Sequence, residues 1–217
     1  MNLVRFALAG LMLASVCSLA QAKPIAFSHG TTVMAEYGAG TMVEAQVFYA
    51  PKYFLSLGGG YLELESDIDH RRREITYARA NYLVKRWNQE NSQANVFVWG
   101  GAGEAYVSEL NSHEFAWNAG AQFDYETRRV YSSLKSELHR SSEFSHRIDT
   151  LQLGVAPYKH DFDTLATWFV VQGRQISGGI HDGTEWALLL RLFKRGAWVE
   201  AGVTTDGKLQ AMAMVNF

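Results

Sequence analysis

His139 and Ser141 stand two residues apart at the end of an alternating segment, so both side chains leave the same face. A Ser/His pair needs that arrangement for the imidazole to take the hydroxyl proton, and Glu143 is placed to orient the ring. A second set pairs histidine with carboxylate: Asp69-His70, His113-Glu114, Glu143 with His146, and His181-Asp182. Imidazole with carboxylate suits zinc, copper or nickel, provided the segments bearing His70, His113, His146 and His181 converge, although the spacing within each matches no metal motif. Met212 and Met214, on one face of the last segment, would add soft ligands for cuprous copper or act as filler. A third set is charged. Glu36, Glu44, Glu63, Glu104, Asp124, Glu137, Glu185 and Glu200 fall on the polar face of their segments with Arg79, Lys135, Arg174 and Arg191, eight acids against four bases.

Other catalytic signatures are missing. The chain has no Gly-x-Ser-x-Gly elbow, P-loop or His-Glu-x-x-His, and Gly58-Gly59-Gly60 lacks the following helix that a phosphate cradle requires. Arg71-Arg72-Arg73 is the densest basic run, either a solvated loop or a clamp for lipopolysaccharide phosphates.

Period-two alternation supplies the elements that must carry these residues. From Glu114 to Thr127, Phe115, Trp117, Ala119, Ala121, Phe123 and Tyr125 alternate with polar or small residues. Similar segments occupy 32–37, 42–50, 54–65, 74–84, 94–107, 130–139, 148–156, 164–175, 185–193, 197–204 and 209–217, twelve strands in all, with ten as the alternative because the first segment and the glycine run are weakly patterned. After the N-terminal segment no apolar run reaches the ~18 residues of a transmembrane helix, so a closed barrel is the remaining way to span a bilayer. The expected fold is all-β, an antiparallel up-and-down transmembrane barrel. Aromatic residues on the expected outward face, including Phe97, Trp99, Trp117 and Trp186, suit interfacial girdles.

The N-terminus points to export. Arg5, the apolar stretch 6–13 and Ala20-Gln21-Ala22 read as a signal peptide over residues 1–22, which leaves a barrel domain over 23–217. Lipoprotein processing at Cys17, the only cysteine, is the rival, and Val16 is a poor residue before it. Cleavage after residue 22 would remove Cys17 and Arg5, moving the net charge from −2 to −3, which argues against nucleic acid as a partner.

The final strand alternates Leu209, Ala211, Ala213, Val215 and Phe217 with Gln210, Met212, Met214 and Asn216. Ending on an aromatic, it resembles the last strand of bacterial outer-membrane β-barrel proteins. That resemblance implies an outer-membrane location, contact with membrane lipid and lipopolysaccharide, and Phe217 as an assembly signal read by the barrel-assembly machinery. His139 and Ser141 also resemble the His-x-Ser-Asn motif of outer-membrane phospholipase A and the lipid A deacylase, with Ser142 at the position of the Asn.

With the polar face inward, Glu36, Glu44, Arg79, Glu104, Asp124, Lys135, Glu137, Arg174, Glu185, Arg191 and Glu200 would line a lumen. Such charges form a transverse field across a constriction or pair off and close it. The expected function is therefore a narrow passive channel for ions or small solutes, mildly cation-preferring from the acidic excess. The alternatives are a lipid hydrolase using His139 and Ser141, or a closed structural barrel.

Overall fold

The structure is a computed structural model and describes residue 25 and residues 28–68, 70–108, 112–159 and 163–217. The expected signal peptide lies outside these residues. Alternation is realised as twelve strands: β1 (Thr31–Gly38), β2 (Met42–Lys52), β3 (Leu55–Glu65), β4 (Arg72–Asn88), β5 (Ser92–Val107), β6 (Ser112–Thr127), β7 (Val130–Arg140), β8 (Ser145–Val155), β9 (Ala166–Ile176), β10 (Glu185–Lys194), β11 (Ala197–Thr204) and β12 (Leu209–Asn216). The ten-strand alternative falls away, because the glycine run pairs throughout as part of β3.

Each strand runs antiparallel to its chain neighbours, and β1 pairs with β12 to close an up-and-down barrel. Closure removes the sheet edge that would otherwise leave backbone donors and acceptors unpaired. At the seam, Thr31 N–H donates to the Phe217 carbonyl at 2.6 Å and Phe217 N–H returns to Thr31 O at 3.0 Å. This end is the terminal rim; the other is the far rim. The tight β1–β2 and β11–β12 turns use Gly40 (φ 83°) and Gly207 (φ 76°) in the left-handed region, which glycine adopts without strain.

The barrel has a polar inner belt between apolar layers. At the far rim, Leu62, Leu64, Ile75, Ile148, Ile176 and Ile180 pack into one inner cluster. Toward the terminal rim, Trp168, Val170, Leu189, Trp198 and Met214 form a second, and Ile25, Leu83, Phe97 and Trp99 a third. The outer wall is apolar over most of its height, with Leu134, Leu153, Phe169, Leu188 and Val203 exposed. Phe115, Trp117, Phe123, Tyr125 and Trp186 face outward as their alternation requires.

Two strands reverse the expected faces. In β5, Phe97 and Trp99 point inward, and Glu104 points outward with its side chain 63% exposed. Asn95 fixes that register: its amide donates to Asp124 inside the barrel at 2.6 Å and its carbonyl oxygen accepts from Arg86 Nε at 2.7 Å. Gly120 lies opposite Trp99 and leaves room for the indole, since a Cβ there would come within 2.5 Å of the ring. In β3, Leu62 and Leu64 enter the far-rim cluster, so Glu63 faces out and binds Arg72 at 2.6 Å. The outward turn of Glu63 and Glu104 has one cause. Near the far rim the inside is apolar and the outside carries a charged collar of Glu63, Arg72, Glu74, Glu104 and His113, so a rule of polar inside and apolar outside inverts there.

Candidate functional site

The lumen gathers most of the expected polar set. Glu36, Glu44, Arg79, Asp124, Lys135, Glu137, Arg174, Glu185, Arg191 and Glu200 all stand on inner-face positions of their strands. Glu104 is the exception. Arg73 and Arg86, missing from the sequence-derived set, also occupy the inner face, Arg86 because a β-bulge between Leu83 and Lys85 shifts the parity of β4 after it. With Glu63 and Glu104 outside, Glu114 and Glu126 on the inner face of β6 and two arginines added, the acidic excess behind the expected cation preference is reduced.

Arg79 organises the first network. Its Nη1 lies 2.6 Å from Glu137 Oε1, while Nη2 donates to Gln46 Oε1 at 3.0 Å. Gln46 in turn donates to the Tyr77 hydroxyl at 3.0 Å, and that hydroxyl donates to Glu44 at 2.7 Å. Lys135 Nζ lies 3.1 Å from the other Glu137 oxygen. The guanidinium also faces the rings of Phe48, Tyr77 and Trp99 at 4.8, 5.3 and 5.3 Å, stacking that suits a weakly hydrated cation. Gly58 and Gly60 leave room on the inner face of β3: a Cβ at Gly58 would meet the Val47 carbonyl and Phe48, and one at Gly60 the Tyr77 hydroxyl and the Ala45 carbonyl.

A second network centres on Arg191. It lies 3.0 Å from Glu200 Oε1, donates to Gln152 at 2.8 Å, and packs 4.0 and 4.3 Å from the Trp198 and Tyr131 rings. Trp198 Nε1–H donates to the same Glu200 oxygen at 2.8 Å. Arg174 pairs with Glu36 across the lumen, and Thr41 reaches Glu185 at 3.4 Å. Buried charges are tolerated best when paired and hydrogen-bonded; the three arginines are ion-paired, while Arg79 Nε, Arg174 Nε and Nη1, Arg191 Nε and Glu185 Oε2 are buried without a hydrogen-bond partner among the described residues.

Between the networks lies an inner cavity of about 120 Å³. Its wall includes Met42 and Ile148 from the far-rim layer and Trp198 and Met214 from the terminal-rim layer. Leu62, Leu64 and Ile180 above it are 0% exposed, as are Phe97 and Ala166 below it. The cavity is thus flanked on both sides by side chains shielded from water.

The hydrolase pair is not assembled. His139 is 1% exposed on the inner face of β7, with Nε2 3.3 Å from Glu137 Oε1. Ser141 lies beyond the strand end, where its hydroxyl oxygen accepts from the backbone N–H groups of Glu143 and Phe144 at 3.1 and 3.3 Å. Glu143 is exposed in the same turn, and among the described residues no hydrogen bond joins His139 to Ser141.

The four rim histidines do not converge. His70 occupies a left-handed turn position (φ 56°) and its N–H donates to Ser66 O at 3.0 Å; its neighbour Asp69 lies outside the described residues. His113 pairs with Glu104 on the outer face and His181 with Asp67 at 2.6 Å. His146 is a correction: β8 begins at Ser145, three residues before the alternation suggested, so this ring lies inside at 1% exposure, stacked on Phe144 at 4.8 Å. Among the described residues no three His, Cys, Asp or Glu side chains are grouped to hold a metal.

No family model matches the chain, and no curated protein does. Among solved structures, CdiB from Acinetobacter baumannii aligns with a TM-score of 0.31 and 8% identity, over 88% of this chain and 61% of that one. The chain thus spans less than two thirds of the length of that structure.

Proposed function

We propose that the protein is an outer-membrane β-barrel that holds its lumen closed at rest, a wall-spanning scaffold with an internal polar compartment, not a standing passive channel. The observation that carries this reading is the ion-paired belt stacked between two buried apolar layers, with a small cavity between them. The apolar outer wall suits lipid, and around Leu153, Phe169, Val171 and Leu188 it forms a groove of about 640 Å³ wide enough for acyl chains.

The experiment has two arms. Fractionated cells should hold the protein in the outer membrane with heat-modifiable migration on gels; recovery in the soluble periplasmic fraction would remove the membrane reading. In planar bilayers the native barrel should give no steady conductance at moderate voltage. A stable ohmic step from the native protein would overturn the closed lumen and restore the passive channel.

A further inference from the structure

The chain contains six methionines. Met1 and Met12 fall outside the described residues, and the other four, Met34, Met42, Met212 and Met214, all line the 120 Å³ lumen cavity. They gather at the closing seam. Met34 stands directly opposite Met214 in the β1–β12 ladder, Met212 stands opposite Glu36 in β1 and opposite Glu200 in β11, and Met42 stands opposite Gly38 in β2–β1. Three thioethers from two adjacent strands, with a fourth on the next strand, therefore face one void. Glu36 and Glu44, themselves register partners, share its wall.

We infer that this seam is a binding site for one soft monovalent cation, Cu(I) or its analogue Ag(I), held by Met34, Met212 and Met214 with a carboxylate from Glu36 or Glu44.

Thioether sulfur is polarizable and a weak hydrogen-bond acceptor, and it discriminates for cuprous copper over hard ions. Met42 also packs with the far-rim layer and Met214 with the terminal-rim layer, so these side chains fill the core on one side and face the open interior on the other. Glu44 adds an anionic ligand: it is 4% exposed, its hydrogen bond comes from the neutral Tyr77 hydroxyl, and among the described residues no cation stands within ion-pair distance of it. The fixed charges decide the valence. Arg79, Lys135 and Arg174 share the wall with Glu36, Glu44 and Glu200, three cations against three carboxylates, so the wall has no net negative charge to offset a hard divalent ion, whereas a monovalent soft ion gains sulfur bonds and brings one charge.

The inference goes beyond the closed-barrel reading and uses its inward lumen. The full chain in a Cys17→Ser background, which removes the thiol, is refolded in detergent with Ag⁺ as a redox-inert probe. Cu(I) under ascorbate is tested by competition with a chromophoric chelator. Folded native barrel should retain one Ag⁺ per chain through gel filtration and retain no Zn²⁺. The triple variant Met34→Leu, Met212→Leu, Met214→Leu, which keeps an apolar side chain at each position, should bind at least tenfold more weakly, and Met42→Leu should change binding less. X-ray absorption of the native silver complex should show sulfur neighbours; this keeps the test valid if the triple variant fails to fold by heat-modifiable migration. No retained Ag⁺ in the folded native barrel, a silver complex without sulfur neighbours, or equal retention by a folded triple variant would overturn the site. Steady conductance of the metal-free barrel would overturn the closed lumen separately.

Discussion

Arg79 on β4 and Glu137 on β7 meet at 2.6 Å inside the barrel, skipping β5 and β6. Arg174 on β9 likewise reaches Glu36 on β1, and Gln152 on β8 reaches Arg191 on β10. These chords tie together strands that share no backbone ladder, so the inner belt braces the cross-section as well as filling it. Glu137 serves two cations and Arg79 only one carboxylate, which makes the pair asymmetric. Glu137→Gln should cost about 3–5 kcal/mol, since it strands Arg79 and Lys135 in a buried belt. Arg79→Met should cost less, because Glu137 keeps Lys135. Urea unfolding of the reconstituted barrel measures both; a larger loss in Arg79→Met would reject this account of the chord.

Gly38 makes room for another of these chords. A Cβ at that position would lie 2.0 Å from Arg174 Nη1, with the remaining close atoms also on side chains. Gly38→Ala should therefore push Arg174 off Glu36 and destabilise the barrel by about 1–3 kcal/mol. Placed on Arg174→Met, the same alanine should cost much less, because the two changes act on one contact. Additive losses in the double variant would mean that Gly38 is needed for the backbone and not for the arginine.

Adjacent residues on β5 test its register. Glu104 is exposed on the outer face, and Ala105 is 0% exposed inside the far-rim layer. In a Cys17→Ser background, Glu104→Cys should react with a bulky maleimide in the folded barrel, and Ala105→Cys should react only after unfolding. The reverse pattern would restore the face that alternation alone suggested.

That strand also marks where the sequence stopped being legible. Strand positions followed directly from period two, because one-sided burial forces alternation. Faces were readable at mid-barrel where one side is clearly polar, as for Glu44 and Gln46 in β2 or Arg191 in β10, but not at the far-rim end of β3, where Leu62 and Leu64 turn inward and Glu63 outward. They were not readable in β5, where Val96, Val98 and Ala102 on one side compete with Phe97, Trp99 and Ala105 on the other, and the choice rests on Asn95 finding Asp124 on another strand. His146 was misplaced for a related reason: Ser145, His146 and Arg147 have the composition of a loop, yet they pair with β7. The chords depend on which strands face each other across a closed barrel, and no local pattern encodes that.

Phe217 combines two roles that a pair of variants can separate. Its backbone makes two hydrogen bonds with Thr31 at the closing seam, while its ring is 47% exposed on the outer wall. The first is structural and belongs to any residue at that position; the second is a proposal, an exposed aromatic ring recognised by an assembly factor. Phe217→Ala keeps both backbone bonds, so refolding into detergent should be nearly unchanged while the yield of heat-modifiable barrel in the outer membrane of cells falls several-fold. Deleting residue 217 should reduce yield in cells and also weaken the refolded barrel against urea, because each net hydrogen bond contributes ~1 kcal/mol. If Phe217→Ala assembles in cells as well as the native chain does, the ring is not the assembly signal, and what Phe217 contributes is closure of the seam.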